Sequence, residues 1–173
     1  MTTLVTPSEK YKDSYLITLR EYHDEGRKLN EDLAVISSDF GAFVQSVLDL
    51  ADWAKIEPGR VPSSHFWLID EGHYAGELNI RPELNEDLTK WGGNIGYKIR
   101  PSKRRQGLGK RILELGLLLA PSFGLKHVLL TCDADNVASS KIIEHNGGKF
   151  ENEVEGELKG KFTHRRRYWI ELE

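Results

Sequence analysis

The chain has 173 residues, 39 % apolar and 29 % charged, which is enough for one domain with a real core. Its 24 Lys and Arg against 27 Asp and Glu leave a net charge of −3, excluding a general attraction to nucleic acid or anionic membrane, so any basic patch must be local. One cysteine, Cys132, excludes an internal disulfide and a multi-cysteine zinc site, and no stretch reads as a secretory signal or a bilayer span. A cytoplasmic protein is expected.

"TTLVT" is a short strand stopped by Pro7. Ser8 then caps a helix through "EKYKDSYLITLREYHDEG", where Tyr15, Leu16, Leu19 and Tyr22 recur at helical spacing. A second helical pattern runs through "DFGAFVQSVLDLADWAK", from Phe43 through Val47 and Leu50 towards Ala54. "HFWLIDEGHYAGELNIRP" reads as two strands around a Glu-Gly-His turn, "ELNEDLTKWGG" as an irregular or helical insertion, and "NIGYKIRP" as a strand. "GLGKRILELGLLLA" is a helix with Leu108, Ile112, Leu115 and Leu119 on one stripe, ended by Pro121. "HVLLTCD" is apolar enough for a strand covered on both faces, "NVASSKIIEHNGG" is a short helix with a glycine stop, and "RRRYWIEL" closes the chain as a strand. Interleaved helices and strands define an α/β or α+β class with a mixed sheet.

"RPSKRRQGLGKRI" stands between a strand and a helix and gathers cations around Gly107 and Gly109. A helix start offers unpaired N–H groups and partial positive charge, and glycine admits an anion close to the backbone. Arg104, Arg105 and Lys110 add charge, so the segment is a candidate phosphate loop. It lacks the Lys-Ser/Thr pair of a P-loop, since Arg111 follows Lys110, and it lacks the third glycine of a dinucleotide fingerprint, since Ile112 stands there. Arg104-x-x-Gly107-x-Gly109 remains.

With its flanks, "IGYKIRPSKRRQGLGKRIL" and then "CDADNVASSKIIEHNGG", the chain resembles the core of a GNAT (Gcn5-related) N-acetyltransferase over about Ile95 to Phe150. The resemblance implies a mixed, splayed sheet of six to seven strands flanked by helices. It implies one domain: an acceptor-side helical part over about 1–60, an acetyl-CoA-binding core over about 64–150, and closing strands over about 150–173. Acetyl-CoA would be the co-substrate and a primary amine, on a small molecule or a peptide, the acceptor. Transfer would be direct, without metal, nucleic acid or membrane, and a homodimer is in keeping with the family. Main-chain groups near Ile99 and Pro101 would bind pantetheine, and the amides of Arg105, Gln106, Gly107, Leu108, Gly109 and Lys110 the pyrophosphate, with Arg104 and Asn136 also on the cofactor.

Catalytic residues are harder to place. The family's early strand glutamate falls here at Gly93 and Asn94, and its helix tyrosine at Ile143. Candidates in their stead are Ser139 as donor to the thiolate, Asn136 as positioning group or plain helix cap, Glu77 to orient water, and Tyr97, which also suits a core. Backbone N–H groups near Tyr97 to Ile99 could meet the oxyanion. Cys132 reads as a core residue rather than an acyl carrier, and Asp133 as a base or turn residue. Acidic residues in "REYHDEG" and at Glu83, Glu86 and Asp87 suggest a rim suited to a cationic amine. Two rival readings are a non-catalytic acyl-CoA-binding module, on the missing Glu and Tyr, and a nucleic-acid binder, on "HRRRYW", against which the acidic net charge argues.

Overall fold

A computed structural model describes residues 1–172. The chain runs β1 (Thr2–Val5), α1 (Lys12–Asp24), α2 (Leu33–Ser38), α3 (Phe40–Asp49), β2 (Ser64–Asp70) and β3 (His73–Ile80). It continues with β4 (Ile95–Ile99), α4 (Leu108–Leu119), β5 (His127–Asp133), α5 (Val137–His145), β6 (Lys149–Leu158) and β7 (Lys161–Glu171). The splayed sheet takes the form of two antiparallel sheets, β1-β2-β3-β4 and β5-β7-β6. They meet where a lone bridge joins Gly93 to Leu130 and diverge from there.

Period-two alternation divides the first sheet into two apolar faces. Leu68, Leu78, Ile80 and Ile95 pack under Ile112 and Leu113 of α4, in the larger core, which also takes Val128 and Leu130 of β5. Trp67, Ile69 and Tyr74 face the other way, against Tyr15, Leu19, Phe40 and Val44. Gly116 lets α4 settle on β3, because a Cβ there would stand 2.4 Å from Leu78 Cδ1. The hairpin turns on Glu71 and Gly72, both at positive φ (50° and 81°), as a tight two-residue turn requires.

Two expectations shift in detail, and a third is borne out. The second helix stops at Asp49 rather than near Ala54, and its buried face is Phe40 and Val44; the chain beyond turns back through a Lys55–Asp49 ion pair of 2.7 Å. The α4 helix ends at Leu119, and Pro121 sits inside a 3-10 turn, Ala120–Phe123, stopped by Gly124. The insertion is a π turn, Leu88–Gly92, that buries Trp91.

Candidate active site

The site is built around the divergence of β4 from β5. The backbone N–H of Asn94 leaves β3 and donates to the Leu129 carbonyl (2.7 Å). Its side chain replaces the lost ladder bond: Nδ2 donates to the Arg81 carbonyl (3.0 Å) and Oδ1 accepts from Leu129 N–H (2.8 Å). Asn94 is thus a buried stitch between the sheets, and Gly93 beside it has no room for a Cβ, which would lie 2.4 Å from the Leu129 oxygen. A carboxylate base at this point of the strand would displace the stitch. Beyond it, the Arg81–Asn94 and Ala75–Arg100 bonds fix the ladder phase. The N–H and C=O groups of Ile95, Tyr97 and Ile99 therefore point to the open edge. The Ile99 carbonyl already accepts from the Tyr22 hydroxyl (3.0 Å), which leaves its N–H available.

At the far end of that edge lies the cation-rich loop. The amides of Arg105 through Gly109 donate to no protein acceptor among the described residues. Gly107 caps α4 at φ 83°, and a Cβ there would meet nothing within 4 Å. Arg105 holds φ 59°, a conformation that costs a non-glycine residue free energy and turns successive amides to one side. Together these features make a cradle for an anion. Glycine at 109 has a different reason: a Cβ would stand 2.5 Å from Ile142 Cδ1, so this residue lets α4 approach α5. Leu108 sends its side chain into the core and offers only its amide. Gln106 Nε2 donates to the Ser102 carbonyl (3.2 Å).

Arg104 lines the same stretch of the chain's surface as Arg105 and Gly109. Its guanidinium grips Glu25, the C-cap of α1, through two bonds (2.8 and 2.9 Å), as Arg100 grips Glu21 of the helix (2.9 and 2.6 Å). Glu21 also accepts from the N–H and hydroxyl of Ser102 (3.1 and 3.0 Å). Burial alone would raise its pKa, but these bonds hold the carboxyl below its ordinary range. Two acids of "REYHDEG" thus fasten α1 to the loop and offer no rim to a cationic amine.

Two adjoining cavities follow the splay. One, about 1030 Å³, runs past Pro101, Arg105 and Gly109; the other, about 720 Å³, lies over β3 and β4. Tyr97, Asn136 and Ser139 line both. Asn136 caps α5 by accepting from Ser139 N–H (3.0 Å), which sets Ser139 Oγ 2.9 Å from the Tyr97 hydroxyl. Burial is the main cause that pushes the Tyr97 pKa up to about 12, so the phenol keeps its proton. Ile143, in the place of the family's tyrosine, is wholly buried.

The second cavity is floored by Glu77 and Asn79 on one face of β3 and by Arg81, which continues that alternation just past its end. Glu77 is bracketed by Lys28 (3.1 Å) and Lys98 (3.6 Å) and accepts from the Tyr74 hydroxyl (3.3 Å). Burial would raise its pKa; the two lysines outweigh that and keep it ionised. Lys28 comes from the α1–α2 connection, at φ 52°, and also pairs with Glu31 (3.1 Å). Cys132 lines the same cavity, but its thiol is raised by burial and lies 3.4 Å from Ser140 Oγ, so it stays a thiol.

His65 did not stand out in the sequence. It lies opposite Asn79 on β2, borders this cavity and a third of about 440 Å³, and makes no hydrogen bond among the described residues. Burial first, with Arg81, Lys28 and Lys98 nearby, lowers its pKa and keeps the ring neutral. The only sequence signal is its place at the start of a strand. Of the tryptophans, Trp67 is core, Trp53 is exposed and Trp91 lines the second and third cavities. The arginines of "HRRRYW" pair within the second sheet, Arg166 with Glu153 (2.8 Å) and Arg167 with Glu151 (2.9 Å).

The sequence model of the acetyltransferase (GNAT) domain family matches residues 17–149, and the chain belongs to that family. No curated protein matches its sequence. Among solved structures it is similar to the microcin C7 self-immunity acetyltransferase MccE in complex with acetyl-CoA and AMP (14 % identity, TM-score 0.73, covering 99 % of this chain and 92 % of that one). It is also similar to a Salmonella typhimurium acetyl transferase that modifies the N-terminal serine of ribosomal protein L7/L12 (15 %, 0.67, 99 % and 95 %). A third is Mycobacterium smegmatis RimJ in complex with CoA-disulfide (18 %, 0.68, 98 % and 81 %). At these identities the likeness concerns the fold. No helix among the described residues is long and apolar enough to cross a membrane.

Proposed function

We propose that the chain moves an acetyl group from acetyl-CoA directly to a primary amine, the two bound at once in the adjoining cavities. The observation that carries this reading is the run of free amides from Arg105 to Gly109, opening on a groove that ends at the Tyr97–Ser139 pair. In this reading the amides, with Arg105 and Lys110, hold the pyrophosphate. Pantetheine lies along the open edge of β4, bonding Ile99 N–H, with Pro101 and Asn136 beside it. Arg104 lines the first cavity and fixes the loop to α1 through Glu25.

The acceptor nitrogen attacks the thioester carbonyl and forms a tetrahedral oxyanion, which the N–H of Tyr97 or Ile99 can meet. The C–S bond breaks, and Tyr97, in hydrogen-bond contact with Ser139, gives its proton to the thiolate and is reprotonated by the proton that the amine releases, carried through water. The amine must arrive neutral. A cation-lined cavity disfavours its ammonium form, and neutral His65 or a water held by Glu77 takes the proton. The helical part over about 1–60 acts on the acceptor side, since Arg27 and Lys28 enter the second cavity from it. A reduced, buried Cys132 agrees with a cytoplasmic setting.

Calorimetric titration with acetyl-CoA tests the cofactor half: micromolar binding, about −8 kcal/mol, is expected in the wild type and lost in Gly107→Glu. A folded wild type that does not bind acetyl-CoA refutes it. The stitch at Asn94 and the buried Ile143 also favour a second reading, a non-catalytic acyl-CoA-binding module. Binding without turnover of any amine would decide for that one.

A further inference from the structure

The second cavity carries five cationic side chains, Arg27, Lys28, Arg81, Lys98 and Arg165, against two carboxylates, Glu77 and Asp133. Those two acids are already taken: Glu77 by the lysines, and Asp133 by Arg165 at 3.5 Å. Arg27 and Arg81 are left with no acidic partner among the described residues. Arg81 is the telling one, because it is half-buried and burial lowers its pKa. Desolvating a guanidinium without a counter-charge costs free energy, and a site that retains one has a use for it.

Its geometry says where the charge is aimed. Arg81 Nη1 donates to the Gly93 carbonyl (3.2 Å). With the Asn79 amide turned so that its oxygen faces the arginine, that oxygen accepts from Nη1 (3.3 Å) and Nη2 (3.1 Å). Only neutral acceptors meet the guanidinium, and they pin it at the border of two cavities, beside neutral His65. Gly96 keeps the approach open, since a Cβ there would crowd the same amide at 2.7 Å. Arg165 adds a buried Nε with no hydrogen-bond partner, on the facing strand.

We infer that the acceptor is a small amine carrying an anionic group, a carboxylate or a phosphate, and that Arg81 binds that group. This rests on the acetyltransferase reading and names its substrate class. The anionic group neutralises Arg81 and Arg27, while the amine, near His65, sits where positive potential favours loss of its proton. Transfer then joins the acetyl carbon to the amine nitrogen, releases the amine proton and returns CoA as the thiol.

The test uses acetyl-CoA with serine, serinamide, ethanolamine and O-phosphoethanolamine, following thiol release. Serine against serinamide reads a carboxylate, and O-phosphoethanolamine against ethanolamine a phosphate. At least one anionic member is expected to exceed its neutral counterpart by about tenfold or more in kcat/KM. Arg81→Met should erase that ratio, chiefly through KM of the anionic member, and Arg81→Lys should restore part of it. Arg27→Met provides a second reading: its side chain makes no hydrogen bond or ion pair among the described residues, so the variant should lower the ratio with little change in melting temperature, and an unchanged ratio would remove Arg27 from the anion site. Equal or better use of the neutral amines overturns the inference, as does an Arg81→Met variant that slows all four alike. So does a better rate on a peptide N-terminus free of acidic residues. If acetyl-CoA binds but nothing is acetylated, the transferase reading fails by itself. The melting temperature of the CoA-saturated protein then decides the anion site: stabilisation by O-phosphoethanolamine or serine beyond their neutral partners supports it, and none overturns it.

Discussion

Asn94 offers the sharpest test of how the cleft is made. Replacing it with alanine removes both side-chain bonds, to the Arg81 carbonyl and from Leu129 N–H. No other bond to either group is present among the described residues, so a carbonyl and a buried N–H are left unpaired. Each unsatisfied buried group costs about 1–3 kcal/mol, and the small void adds to it, so the loss should be about 3 kcal/mol. For a chain of this size about 1 kcal/mol lowers Tm by about 2–4 °C, giving a fall of about 6–12 °C. Urea unfolding of Asn94→Ala beside Gln45→Ala, whose exposed bond to Asp49 (2.7 Å) should cost under about 0.5 kcal/mol, measures the difference. If the two variants lose the same small amount, Asn94 is not the stitch and the divergence of β4 from β5 has another cause.

Tyr97→Phe keeps the core packing and removes the proton donor; kcat should fall about 100-fold with little change in KM for acetyl-CoA, and Ser139→Ala should fall less. Steady-state rates for the pair check this, and an unaltered Tyr97→Phe would remove the phenol from the chemistry. Glu21 has a folded pKa below its unfolded one, so its contribution is full above about 4.5 and is lost as pH drops through the folded value. Acid unfolding of Glu21→Gln against wild type should therefore converge at low pH and differ at neutral pH; parallel curves would contradict the Arg100 and Ser102 bonds as the cause. Gly116→Ala drives a methyl to 2.4 Å from Leu78 Cδ1 and should cost about 1–3 kcal/mol by thermal unfolding, whereas a neutral result would mean that α4 can lift off β3 without strain.

The anion cradle was legible because its signals are local. A strand, a charged loop, Gly107 at a helix start and a capped α5 follow one another along the chain, and each has its own chemical signature. Gly109 misled in part: the same absence of a Cβ serves Ile142 as well as it would serve a phosphate. The second cavity is non-local. Arg81 and His65 acquire meaning only when β2, β3 and β4 take their register and place both on one face. The acids of α1 looked like a rim until folding brought Arg100 and Arg104 to them across 79 residues of sequence. Tyr97 and Ser139, 42 residues apart, were separate candidates that tertiary structure joined at 2.9 Å.

Transfer itself is tested most directly by product stoichiometry. The protein is mixed with acetyl-CoA bearing a carbon-13-labelled acetyl group and with a pool of the common amino acids, their amides, phosphoethanolamine and polyamines. Mass spectrometry then counts free CoA and labelled acetylamines. One labelled amide for each CoA released, from wild type and far less from Tyr97→Phe, is the expected result. CoA released without a labelled amide, or acetyl-CoA bound and returned intact, would contradict acetyl transfer in this cleft.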